Sequence, residues 1–182
     1  MSNLTGLIPE RFQSSIKENS DNPLYTLGAA FLIKINHQRQ EHGLSPFQLN
    51  PLLIIEASLR SLEMVSGLQP LGHQLNDGTQ ALTRIPPEEK ILGIFGQYQK
   101  GECIFTRSDQ DPGRLDMTDE NNIAEVIAAW LASASHRPEL LDPLNQEAGV
   151  GVAQWGDAIV VNLLTQGWSD LLPKLIPAGS EA

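Results

Sequence analysis

The 182-residue chain reads as an α+β fold, and three features of its order carry that reading. The first half holds two stretches of helical periodicity, and the last third holds a hairpin signal. A loop-rich segment from Gln69 to Asp116 separates them. Helices and strands segregated along a chain go with layered α+β packing rather than with a parallel sheet. At this length one core is expected, not two.

Residues 1–20 are polar and weakly patterned and read as an N-terminal arm of low order. Asp21-Asn22-Pro23 opens the first helix, with proline near the first helical position. Leu24, Leu27, Phe31 and Ile35 form its stripe, and Gly43 is a natural left-handed cap. Leu44-Ser45-Pro46-Phe47 reads as a connector. Asn50-Pro51 repeats the start signal for a helix carrying Leu53, Ile54, Ala57 and Leu62, closed by Gly67. Inside the loop-rich segment, Ile91–Phe95 and Glu102–Thr106 are short strand or turn candidates.

The third helix is the most informative. Thr118 is a plausible N-cap, Asp119 and Glu120 suit the positive end of the helix dipole, and Ile123, Val126, Ile127, Trp130 and Ala134 make one apolar stripe. Pro138 disfavours helical geometry at Arg137, so the helix is expected to end near His136. His136 lies off that stripe, so core packing does not explain it. A titratable ring at a helix end is a candidate site residue. Two runs follow, Gln146–Gln154 and Ala158–Thr165, joined through Gly156-Asp157, a hairpin signal. The chain after about Trp168, residues 169–182, reads as a polar tail.

A formal net charge of −10 with scattered Lys and Arg argues against nucleic acid or anionic lipid as a partner, since either needs a clustered basic face. No apolar run approaches bilayer length. The first ten residues lack the basic and apolar regions of a signal peptide. Either the protein stays in the cytoplasm or a signal lies outside this chain. Cys103 is the single cysteine, so no internal disulfide can form; it reads as a small buried residue. Asp109, Asp111, Asp116 and Glu120 depart from the EF-hand template, because the glycine is one place early and Pro112 intrudes. They read as aspartate turns leading to a helix cap. No nucleophile elbow and no phosphate loop occurs, and Gly149-Val150-Gly151 precedes a strand, which excludes a dinucleotide site. His37 and His42 read as surface residues without partners.

Several segments taken together resemble a known family. Trp130-x-x-Ser133-x-x-His136-Arg137, the following Leu140-Leu141-x-Pro143, and Gly149-Val150-Gly151-x-Ala153 resemble the prokaryotic branch of the CAP superfamily, also called SCP domains. Its members include the cysteine-rich secretory, antigen 5 and plant pathogenesis-related proteins. Asn36-x-x-Arg39 with Gly43, the helix around Leu53 and Ala57, His73-x-x-x-Asp77-Gly78, and Gly101-Glu102 are similar to that family's successive motifs. The resemblance covers roughly Leu24 to Gln166. It implies an α-β-α sandwich with a short antiparallel sheet between helical layers, with residues 21–168 as the CAP-like domain. It also implies an extracytoplasmic location.

In the family two histidines and two acids converge on a cleft. Carried over by motif, these are His73, His136 and Glu102; the second acid's position is occupied by Ser133, which can reach the His136 patch. Glu125 is no substitute: along one helix it would lie about 16 Å from His136, so it reads as a solvated residue. Two imidazoles and a carboxylate are a ligand set for an open zinc site, so His73, His136 and Glu102 are the candidate metal ligands. Zinc is thus the one cofactor implied, and none is required. The leading functional expectation is a non-enzymatic CAP domain whose cleft binds a small ligand, a peptide or a divalent metal. One alternative is a zinc-dependent hydrolase with Glu102 as ligand or general base. The other is a structural or assembly protein using an outer surface. Fold alone does not choose among them.

Overall fold

The computed structural model describes residues 23–80 and 96–170. The arm at residues 1–20, the Ile91–Phe95 segment and residues 171–182 lie outside the described residues. Helix α1 (Pro23–Glu41) leads to strand β1 (Gln48–Leu49) and helix α2 (Pro51–Val65). Strand β2 (Gly96–Ser108) is followed by a single 3-10 turn (Pro112–Leu115), helix α3 (Glu120–Ala132) and the short helix α4 (Arg137–Leu141). Strands β3 (Asn145–Trp155) and β4 (Ala158–Asp170) complete the chain. The sheet order is β1-β3-β4-β2. All pairings are antiparallel except the two-residue β1, which runs parallel to β3 at Gln48–Glu147 and Leu49–Ala148. Strand β1 falls just after the stretch read as a connector, and β4 extends two residues into the stretch read as tail.

The sheet separates two cores of unequal size. On one face, α1, α3 and α4 bury Phe31, Ile35, Val126, Trp130 and Leu140 against Cys103, Val150 and Leu163. On the other face, among the described residues, α2 packs with Leu53 and Ala57 against Leu164. Gly149 and Gly151 explain how α2 comes so close. A Cβ at Gly149 would overlap the backbone at Leu53 and Ile54, and one at Gly151 would overlap the backbone at Ala57 and Ser58. Missing side chains on the strand thus admit the helix backbone itself, which is a packing use of glycine in a strand.

This close approach rotates α2 relative to the sequence expectation. The buried face is Leu53, Ile54, Ala57, Ser58, Arg60, Ser61 and Met64, whereas Leu62 is exposed. Ala57, Ser58 and Ser61 lie on the buried side, and Leu52, Ile55, Leu59 and Leu62 are left on the exposed one. In α1, Phe31 and Ile35 are buried as expected, Leu24 is exposed, and Tyr25 and Leu32 join the core instead. The start of α2 and the stops of both helices follow the sequence: Asn50 caps α2 by accepting from the amides of Leu52 and Leu53, and Gly43 and Gly67 have φ of 72° and 76°.

The third helix ends earlier than expected. It stops at Ala132, with Ser133 extended at φ −81° and ψ 126°, and Ala134 is exposed beyond its end. His136 is the N-cap position of α4 rather than part of the last turn of α3. Pro138 sits in the first turn of α4, where its missing N–H costs nothing, so it starts a helix instead of stopping one. The N-cap of α3 is Asp119, which accepts from Asn121 N; Thr118 bonds back to Asp116. Each acid of the aspartate-rich segment likewise serves a local amide: Asp109 takes Asp111 N at 3.0 Å and Asp111 takes Gly113 N at 2.9 Å. The hairpin turn is Gly156-Asp157, with φ of 60° at Gly156, the conformation a two-residue turn starting on glycine requires.

Candidate functional site

Two residues of the first helix that carry the family pattern are structural. Asn36 accepts from Phe47 N at 2.7 Å and donates to Phe47 O at 3.0 Å. Arg39 is buried over the Phe47 ring and donates to the carbonyls of Ser45, Leu140, Asp142 and Asn145. Burial lowers its pKa to about 10, so it remains charged. Arg39 therefore ties α1 to the α4–β3 connection that carries one side of the cleft.

The cleft forms around β2, one of the two edge strands of the described sheet. Glu102 points to the α2 side, in register with Leu164 and Gly149, while Gly101 and Cys103 point to the other face. His73 arrives from the loop after α2, and its Nδ1 lies 2.8 Å from Glu102 Oε2. His136 arrives from the start of α4, where its carbonyl accepts a weak hydrogen bond from Cys103 Sγ. The two imidazoles meet edge to face with centroids 6.3 Å apart and an interplanar angle of 63°. Three residues separated widely in sequence are thereby brought together.

Glu102 is the pivot. Its side chain is 1 % exposed, whereas that of His73 is 48 % exposed. Asn162 Nδ2 donates to Glu102 Oε1 at 2.7 Å, and Arg60 Nε stands 3.7 Å from the same oxygen. Arg60 also donates to the carbonyls of Gly72 and Gln74, the two residues that bracket His73. One buried guanidinium therefore compensates the carboxylate and holds the loop. With Glu102 accepting at Nδ1, His73 carries a proton there, the arrangement by which a carboxylate orients an imidazole.

Ser133 does not join the cluster. Its hydroxyl is 3.4 Å from His136 N and 3.1 Å from Ser135 Oγ, so it shapes the turn that presents the ring. Glu125 is not merely solvated: it pairs with Arg107 and, at 3.7 Å, with Arg114 on the outer surface. His37 and His42 have partners too, Glu41 at 3.4 Å and the Gln38 carbonyl at 2.9 Å. His37 also lines a groove of about 730 Å³ between α1 and α3, whose floor includes Ile33, Ile123 and Leu131.

Sequence reasoning missed Arg60, Asn162 and Glu139. An arginine amid the apolar α2 pattern and an asparagine within a β-branched strand were the available signals. Glu139, on α4, accepts from Asn145 Nδ2 at 3.5 Å and Thr165 Oγ1 at 3.4 Å. Gly101 leaves it room, since a Cβ there would collide with its carboxylate. Burial raises its pKa, opposed by those two hydrogen bonds and the charge on His73. The Cys103 thiol is pushed up by burial, then by Glu139 and Glu102, so it is an inert packing residue.

Burial lowers the pKa of His136, and the charge on His73 lowers it further. A lowered pKa means the unfolded chain takes up the proton first, so this ring's contribution to stability is lost as pH falls below its ordinary value of 6.5. An NMR titration of the ring protons is expected to place the His136 midpoint below 6.5, and His73→Ala is expected to raise it. A midpoint above 6.5 in the wild type would show that the ring is solvated or faces a carboxylate instead.

Zinc holds imidazole nitrogen at about 2.0–2.1 Å, which puts two rings on one tetrahedral ion about 5 Å apart between centroids. The present 6.3 Å is wider. Among the described residues, no group of three His, Cys, Asp or Glu side chains is placed to hold one ion. The donor set is chemically suited through the two imidazoles, with Glu102 behind His73 rather than beside it.

A helix-sheet-helix sandwich with a His–Glu cleft at the edge of a mixed, largely antiparallel sheet defines a class of domain. The chain belongs to the cysteine-rich secretory protein (CAP) family, whose profile matches residues 32–166. An extracellular SCP-domain protein of Bacillus anthracis is similar in fold, at 19% identity and a TM-score of 0.51. That likeness covers 76% of this chain and only 40% of the Bacillus chain, so this chain spans well under half of that relative. An outer surface protein of Borrelia burgdorferi is similar at 15% identity and a TM-score of 0.55, over 75% of this chain and 88% of that one. No curated protein matches the sequence. No helix among the described residues is long and apolar enough to cross a membrane.

Proposed function

We propose that this is a non-enzymatic CAP domain whose cleft binds through the imidazoles of His73 and His136. Its ligand is a divalent metal, or a small ligand or peptide that hydrogen-bonds to the two rings. The supporting observation is the state of Glu102. Both of its oxygens are engaged, one by Asn162 and one by His73, and the side chain is 1 % exposed, so the carboxylate positions a ring and is shielded from a substrate water. A general base must reach the proton it removes. The two imidazoles, side by side, offer ligation or hydrogen bonding instead. Zinc, when bound, would lower the pKa of its water and polarise a carbonyl.

Calorimetric titration with zinc chloride is the test. Binding is expected for the wild type and not for the His73→Ala, His136→Ala double variant. Affinity is expected to fall from about pH 7.5 to about pH 5.5, because a protonated imidazole has no lone pair to donate. Equal heats from both proteins would remove metal as the ligand.

The zinc-dependent hydrolase draws support from one observation, the raised pKa of Glu139, because a carboxyl that holds its proton longer suits general acid work. Peptidase, esterase and glycosidase assays, with and without zinc, are expected to show no turnover. Turnover that needs both zinc and His136 would overturn the binding reading in favour of the hydrolase.

A further inference from the structure

The outward face of α2 carries the larger apolar residues that its packing against the sheet does not use. Leu52, Ile55, Leu59 and Leu62 are 63 %, 54 %, 50 % and 45 % exposed. Their spacing of three, four and three is the a/d spacing of a coiled-coil seam. Leu68 and Leu71, just beyond the helix, are also exposed. Single exposed leucines are ordinary, but a continuous stripe of this kind marks an interaction site. The stripe is not needed to hold α2 in place, since Leu53, Ile54, Ala57 and Met64 do that from the opposite side. It is also separate from the cleft, where α2 contributes the buried Arg60.

The charges beside the stripe say what fits it. Glu56 and Glu63 each follow a d position. From Pro51 to Gln80 the only Lys or Arg is Arg60, which is buried. Glu63 lies 4.0 Å from that guanidinium and Glu56 has no such neighbour on α2, so the border of the seam is acidic on balance. A second copy would set these acids against themselves and bring together two chains of net charge −10. Charge complementarity favours a partner of opposite sign.

We propose that this face of α2 docks an amphipathic helix of another protein, apolar along one stripe and bordered by Lys or Arg. The mode is two helices packed side by side along an a/d seam, with the acids of α2 reading the basic border. This inference does not rest on the cleft and stands or falls separately from it.

The experiment titrates the full chain, by fluorescence anisotropy, into two labelled synthetic helices of about 18 residues, or five turns. Both carry the same Leu/Ile seam; one has Lys at the flanking positions and the other Glu. The Lys helix is expected to bind at least about tenfold more tightly, with a gap that narrows as salt screens the charges. Glu56→Gln should narrow the same gap. Ile55→Gln with Leu59→Gln should abolish binding of the Lys helix while leaving the circular dichroism spectrum and the zinc titration unchanged. Equal affinity for the two helices, or none for either, would overturn the proposal. So would a sedimenting dimer that the Ile55→Gln, Leu59→Gln variant dissociates, which would make a second copy the occupant. Retention of the wild type but not that variant on phosphatidylcholine or phosphatidylserine vesicles would overturn it in favour of lipid.

Discussion

Trp130→Ala is expected to lower the stability of the domain by roughly 3–5 kcal/mol, the usual cost of truncating a large buried aromatic. Trp130 is 1 % exposed and sits in the main core with Val126, Ile127 and Leu140. Its removal would leave a cavity between α3 and the sheet that the rigid strands cannot collapse to fill. Against a typical total of about 5–15 kcal/mol, such a loss takes a large share of the folding free energy. The indole Nε1 has no hydrogen-bond partner among the described residues, so Trp130→Phe keeps most of the packing and removes an unsatisfied donor. Urea denaturation is expected to show Phe far closer to wild type than Ala. A loss below about 1 kcal/mol for Ala would contradict the burial of this helix face.

Arg60→Met is expected to cost about 3 kcal/mol at neutral pH, in line with the removal of one member of a buried ion pair. Met keeps the apolar stem, so the loss reports on the guanidinium, its charge and its hydrogen bonds together. It leaves Glu102, 1 % exposed, without its cation and frees the carbonyls of Gly72 and Gln74. Adding Glu102→Gln should restore part of the loss, since the uncompensated carboxylate is then gone. Additive losses in the double variant would show that the two groups do not interact. Amide exchange in residues 72–74 should rise in Arg60→Met, because the buried guanidinium is what ties that loop to α2.

The elements that sequence reasoning reached are those whose signals are local. Asn50-Pro51, Gly43, Gly67 and Gly156-Asp157 act through caps and turns within a few residues, and the structure uses each accordingly. Ile123, Val126, Ile127 and Trp130 face the core because one helical period determines it. The misreadings share a different cause. Leu62 points outward because Gly149 and Gly151, about ninety residues away, let the small side of α2 approach the sheet. His136 begins α4 because Pro138 serves as well at a helix start as at a stop, and a single sequence does not say which. Strand β1 is two residues long and exists only because β3 offers an edge to pair with.

The site divides in the same way. His73, Glu102 and His136 were legible through motif order, and the structure brings them together. Arg60, Asn162 and Glu139 belong to no motif; they surround the cleft because α2, β4 and α4 happen to pass it. Ser133 aligned with the family's second acid, yet its hydroxyl faces the turn backbone once the helix ends at Ala132.

Glu102 holds His73, and the cleft presents the two imidazoles. Long-range proton–nitrogen NMR spectra of 15N-histidine-labelled protein read the tautomer and ligation of each ring directly. His73 is predicted to carry its proton on Nδ1 at pH 7.5. Added zinc is predicted to shift the His73 Nε2 and one His136 ring nitrogen, leaving His37 and His42 unmoved. A His73 ring protonated on Nε2, or zinc shifts at His37 and His42 with none in the cleft, would contradict this arrangement.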